Sequence, residues 1–187
     1  MSLPIPAPRE KLHRREIIVE GFKREDGNYD IDATLCDTKT YEFTTGHGVL
    51  EANTPLHGLG ARMTITPHME IVDFAVAMDE TPSPACDTAG PNFKALIGLK
   101  ISGGFLRAAN ERVGGTLGCT HVREMLPQMA TVAFQTTYDT RTKHTSQTTP
   151  PRLMNTCHGW REDGVIIRNN FPNFYHPTKE ERRDEGE

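Results

Sequence analysis

Apolar and polar residues alternate through most of the first eighty positions of the chain. The segment "RREIIVEGFKREDGNYDIDATLCDTKTYEF" contains two extended stretches separated by "EDGN", and Asp26-Gly27 supplies residues that tolerate the positive φ of a tight hairpin turn. In the second stretch Tyr29, Ile31, Ala33 and Leu35 occupy odd positions, followed by Asp37 and Lys39 and then by Tyr41 and Phe43. A strand places all of these on one face. Two opposite charges on an apolar face lose hydration and need each other, a ligand or a buried water. If the strand instead stops near Asp37, both charges sit in a solvated turn.

A second hairpin is expected in "ARMTITPHMEIVDFAVAMDE", where Met63 and Ile65 alternate before Pro67 and Val72, Phe74, Val76 and Met78 alternate after it. The period then lengthens. Phe93, Leu96 and Ile97 share a helical stripe, as do Phe105, Leu106, Ala109 and Val113 between two glycine pairs. Val122, Met125, Leu126, Met129, Ala133 and Thr136 extend the pattern, with Thr120 as the expected N-cap. Pro127 falls inside this last run, so a kink or a break is expected there.

An antiparallel sheet of about four strands from two hairpins, covered on one face by C-terminal helices, is an α+β fold. One domain is expected over residues 8–176, with flexible termini at 1–7 and 177–187. The polar stretch "DTRTKHTSQTTPPR" reads as a mobile connection. A net charge of -4 with scattered Lys and Arg leaves no basic footprint, so nucleic acid is not an expected partner. No apolar run approaches membrane-spanning length, and the expectation is a soluble, cytoplasmic protein with a small-molecule partner, homo-oligomerisation being left open. The four cysteines are widely spaced with no CxxC pair, which favours thiols over disulfides. GxGxxG, GxxxxGK[ST] and GxSxG are all missing.

The candidate chemistry concentrates at element starts. In "GCTHVREMLPQMATVAF" Cys119 and His121 flank the first turn of the longest helix, where free N–H groups favour a thiolate and a neutral imidazole. These forms suit a divalent metal, a nucleophile or a base. A packed thiol beside a loop-capping histidine is the plainer alternative. Cys157 and His158 in "NTCHGW" and Cys86 in "SPACDTAGPNF" extend the set of soft ligands. His57 and Arg62 lie on the way into the third strand, where they are candidate substrate-binding residues, although Arg62 is out of phase with Met63 and Ile65.

Together the strings "FKREDGNYDIDATLCDTKTYEF", "LIGLKISGGF", "GGTLGCTHVREML" and "NTCHGW" resemble an uncharacterised bacterial family, domain of unknown function 2889, from about Pro8 to Tyr175. In that pattern Asp37, Lys39, His57, Cys86, Cys119, His121, Cys157 and His158 all match, whereas Cys36 does not. A more distant resemblance is to the iron-sulfur scaffold and sulfur-acceptor fold, whose histidine directly precedes its cysteine, unlike the order here.

Two functional expectations follow. The first is a small catabolic enzyme, a lyase (a retro-aldol aldehyde release being one version), hydratase or isomerase acting on a hydrophobic or aromatic small molecule. Asp37, Lys39 and His121 would be catalytic, lining one cavity, and no cofactor would be needed. The second is a non-catalytic protein handling a divalent metal or iron-sulfur group through Cys86, Cys119, His121, Cys157 and His158.

Overall fold

Period-two alternation builds the sheet in which the longest apolar runs end. In the computed structural model, which describes residues 3–142, 150, 151 and 153–177, the strands β1 (His13–Lys23) and β2 (Tyr29–Lys39) pair antiparallel across the "EDGN" turn. Gly27 takes φ +88° there, and the Asp26 carboxylate accepts the Asn28 N–H at 3.0 Å. Most of the expected mobile connection and the expected tail beyond His176 and Pro177 lie outside the described residues.

A short hairpin of β3 (Phe43–Thr45) and β4 (Gly48–Leu50) follows, and then the long strands β5 (Pro55–Ile65) and β6 (Ile71–Glu80). The main sheet has the order β1-β2-β5-β6, entirely antiparallel. Its inner face carries Tyr29, Ile31, Ala33, Leu35, Leu59, Ala61, Met63 and Ile65, all buried. The β6 phase differs from the simple alternation: a register shift between Thr64 and Ile65 turns Ile71 inward and leaves Val72 41% exposed. An extra residue in one strand reverses the faces on either side of it.

Three helical segments cover the inner face. Cys86–Leu96 winds as a 3-10 helix with Pro91 inside, not as the expected α-helix, and buries Phe93 and Leu96 while Ile97 stays 39% exposed. Residues three apart eclipse in a 3-10 helix, so Phe93 and Leu96 stack on one edge and Ile97 falls off it. Helix α1 (Phe105–Val113) buries Phe105, Ala109 and Val113. Helix α2 (Thr120–Thr136) buries Val122, Met125, Leu126, Met129 and Ala133, and packs on β1, β2 and β5. Each of the Phe, Leu, Val and Met side chains among these, fully buried, contributes about 1.5–3 kcal/mol of hydrophobic stabilisation before entropy is counted.

Pro127 neither breaks nor ends α2, which runs continuously through it. Its ring lies on the exposed side, so only the amide that would have reached the Arg123 carbonyl is forfeited. At the far end of α2 the backbone of β1 comes very close. A Cβ built on Gly21 would lie 1.8 Å from Thr136 Oγ1, so any larger residue there would force the Thr136 side chain to move.

Contacts group the chain into two compact units, Met1–Thr140 and Arg141–Glu187. The short α3 (Tyr138–Thr142) crosses that boundary. Within the second unit, α4 (Val165–Asn170) lies between 3-10 turns at His158–Trp160 and Pro172–Phe174. Trp160 and Phe171 face each other there with ring centroids 6.1 Å apart. Among the described residues no helix is long and apolar enough to cross a membrane.

Candidate functional site

The inward phase of β2 carries a carboxylate into the end of the core. Asp37 is 1% exposed, in the same row as Tyr29, Ile31, Ala33 and Leu35. Strand register sets Arg15 of β1 opposite it on one side and His57 of β5 opposite it on the other. Three polar residues on three adjacent strands thus form one line across the sheet.

All the lone pairs of that carboxylate are used. Arg15 donates from Nε to Oδ1 at 2.8 Å and from Nη2 to Oδ2 at 2.7 Å, a two-pronged guanidinium clamp. His13 Nε2 lies 3.0 Å from Oδ1, and His57 Nδ1 lies 3.0 Å from Oδ2. Burial by itself would push Asp37 upward, but the Arg15 clamp, with His57 and His13, outweighs it and holds the carboxyl below its ordinary range. Asp37 is therefore an anion at neutral pH, and His57 presents its Nδ1–H to it. The lone pair of His57 is left on Nε2.

Helix α2 supplies the other half. Cys119 is its N-cap residue and Thr120 its first residue, one position earlier than the sequence suggests. The chain is pinned just before this point, because a Cβ on Gly118 would lie 2.5 Å from the Val113 carbonyl and 3.2 Å from the Phe93 ring. His121 then lies against His57 with ring centroids 3.8 Å apart and planes 37° apart. One turn on, Glu124 pairs with Arg15 Nη1, so the same guanidinium ties the helix to the sheet.

The two histidines are driven in opposite directions. Burial and the neighbouring His121 hold His57 below its ordinary value despite Asp37. Cys119, whose Sγ is 3.9 Å from His121 Nδ1, is the main cause that raises His121 above its own. Burial opposes ionisation of the Cys119 thiol, yet the His121 ring and the N–H groups of Val122 and His121 bring it below the usual thiol value. The cluster thus biases His57 toward the neutral form and His121 toward the charged form, and lowers the thiol beside them.

Lys39 stands apart from this cluster. The register of β2 against β5 shifts between Asp37 and Thr38, and beyond it Lys39 Nζ donates to Tyr41 Oη at 3.0 Å. It also lies 5.1 Å and 4.8 Å from the ring centres of Tyr41 and Phe43. The expected pairing of Lys39 with Asp37 is thus replaced by Arg15, and Tyr41 and Phe43 leave the buried face, at 44% and 36% exposed. Arg62 faces the opposite side of the sheet, where it clamps Asp32 at 2.7 and 2.5 Å. Arg15, His13 and Glu124 were not singled out from sequence; Arg15 shares the parity of Ile17 and Val19, a signal for a charge on the inner face.

Among the described residues, Asp37, His57 and His121 are the one set of three whose ligand atoms converge, all within 4.8 Å of one another. Their donor types suit a divalent cation, but both Asp37 oxygens are held by Arg15, and a dication there would stand against a guanidinium. Cys86 opens the 3-10 segment under β6, and Cys157 and His158 belong to the second unit. A recess of about 220 Å³ lined in part by Pro55, Met78 and Glu80 opens at the same end of the sheet as His57.

No curated protein and no solved structure matches the chain. A family model does, over residues 13–135, and this span holds every member of the cluster, from His13 and Arg15 through Asp37 and His57 to Cys119, His121 and Glu124. The chain belongs to the family described as Protein of unknown function (DUF2889).

Proposed function

We propose that the protein is an enzyme of general acid–base chemistry, a lyase, hydratase or isomerase acting on a hydrophobic small molecule. The observation that carries this reading is the contact between His57 and His121, one biased toward the neutral form and the other toward the charged form at 3.8 Å. Environments that push two neighbouring groups apart in this way assign a base and an acid at one pH. Asp37 holds His57 in the tautomer with Nε2 free, and burial in the sheet keeps that arrangement fixed.

In the aldehyde-releasing version, His57 Nε2 takes the proton of a β-hydroxyl group. The carbon–carbon bond then breaks, the hydroxyl carbon leaves as an aldehyde, and the electron pair passes to the remaining carbon. His121 returns a proton to that carbon or to the oxygen conjugated with it. No electron acceptor is needed, which fits a cytoplasmic catabolic enzyme that works without a cofactor on an aromatic compound. Positioned acid–base groups contribute about 10²–10⁴-fold in rate.

The test is aldehyde release, with deuterium uptake from heavy water, measured over aromatic β-hydroxy carbonyl compounds. Wild-type protein is expected to turn over at least one, and His57→Gln and His121→Gln to lose about 100-fold or more. Turnover undiminished in both variants would overturn the reading, as would neither aldehyde nor exchange across the panel.

A further inference from the structure

Cys119 has no part in the proton transfers above, yet the fold holds its sulfur beside the acid. Gly118 is locked against Val113 and Phe93, which sets the position of Cys119, and the first turn of α2 brings the His121 ring within 3.9 Å of Sγ. Behind His121 stand His57 from β5, Asp37 from β2 and Arg15 from β1, with Glu124 one turn further along α2. Cys36 and Cys86 are also half-buried and Cys157 is exposed, but Cys119 is the cysteine set against a histidine that is itself stacked on a carboxylate-held histidine.

We propose that Cys119 is a covalent nucleophile for conjugated carbonyl compounds, with His121 as the acid that completes the addition. The sulfur adds to the β-carbon of the activated alkene, the π pair moves to the carbonyl oxygen as an enolate, and His121 gives that enolate its proton. Reversal of the same steps releases the compound and restores both groups. The inference deepens the acid–base reading, since eliminations and hydrations produce or consume such alkenes, and it shares His121 with that reading. Its support in charge is that the same neighbours bring the thiol below its ordinary value.

Iodoacetamide tests this without any substrate, so its outcome is separate from the outcome of the turnover assay. The thiolate displaces iodide from the methylene carbon, and peptide mass spectrometry reads each cysteine by itself. The quantity compared is the pH midpoint of each labelling curve, which burial of the sulfur does not shift by slowing the reaction. Cys119 is expected to have a midpoint lower than that of the exposed Cys157, and His121→Gln to raise the Cys119 midpoint while leaving that of Cys157 in place. A Cys119 midpoint at or above that of Cys157, no labelling of Cys119 in wild-type protein, or a midpoint unmoved by His121→Gln would each overturn the proposal.

Discussion

His57 and His121 touch ring to ring at 3.8 Å, and their surroundings bias them in opposite directions, His57 below its ordinary value and His121 above it. The cause lies in what each ring meets on its far side. His57 is buried beside a second imidazole, whereas His121 has the sulfur of Cys119 as its strongest partner.

Activity should therefore follow a bell-shaped pH curve. The base His57 must be unprotonated, and its value lies below 6.5, so the acid limb falls below that pH. The acid His121 must be protonated, and its value lies above 6.5, so the alkaline limb falls above it. Cys119→Ser removes the main cause that raises His121, and the alkaline limb is expected to move toward acid, narrowing the bell. A full pH–rate profile of both proteins checks this; an unshifted alkaline limb in Cys119→Ser would count against His121 as the acid.

Asp37→Asn should cost stability near neutral pH. It strips the Arg15 clamp of its charge partner in a site where Asp37 is 1% exposed and Arg15 retains 31% exposure. A loss of about 3 kcal/mol is expected, at the low end for a buried pair because Arg15 still reaches water. Because the folded-state value of Asp37 is depressed, its contribution is present above the unfolded value and disappears as pH falls through the folded one. Urea unfolding at pH 7 and again near pH 3 should show a gap between wild type and variant that narrows at the lower pH.

Gly21→Ala should destabilise the fold by about 1–3 kcal/mol, since the new methyl group would enter Thr136 Oγ1. Thr136→Ala in the same chain should recover part of the loss. A double-mutant cycle by thermal unfolding measures the coupling, and purely additive effects would show that the helix end shifts freely.

Pro127→Ala should stabilise the protein. The position is exposed within a continuous helix, and alanine restores both the amide and its bond to the Arg123 carbonyl. A gain of about 1–3 kcal/mol is expected from helix propensity alone. The melting temperature is the measurement.

Much of this was legible in the chain. Strand parity carries Asp37 inward with Leu35, and the same parity through Leu59, Ala61 and Met63 turns His57 inward beside it. Arg15 shares the parity of Ile17 and Val19, but β1 is an edge strand exposed along most of its length, and its pattern is correspondingly weak. Lys39 keeps its place opposite His13 on β1, but its partner is Tyr41 and not Asp37, because Arg15 already clamps that carboxylate, a choice between partners that leaves no mark on the local pattern. The meeting of Cys119 and His121 with the Asp37 row belongs to tertiary packing, where α2 could have crossed the sheet at several heights. The soft-ligand pattern shared by Cys86, Cys119 and Cys157 read their positions at element starts, which reflect where chains turn and not where they converge.

The height at which α2 crosses is fixed at two points. Arg15 holds Glu124 at one end, and Gly21 receives Thr136 at the other. Six residues of strand span about 20 Å, and twelve residues of helix span about 18 Å. The two elements work as matched rulers laid side by side, and His121 falls over His57 only while their graduations agree. One residue added or removed between Glu124 and Thr136 turns the helix by about 100°, so one of the two fastenings has to let go. Length in β1 and α2, more than the identity of many of their side chains, is what the acid and the base depend on.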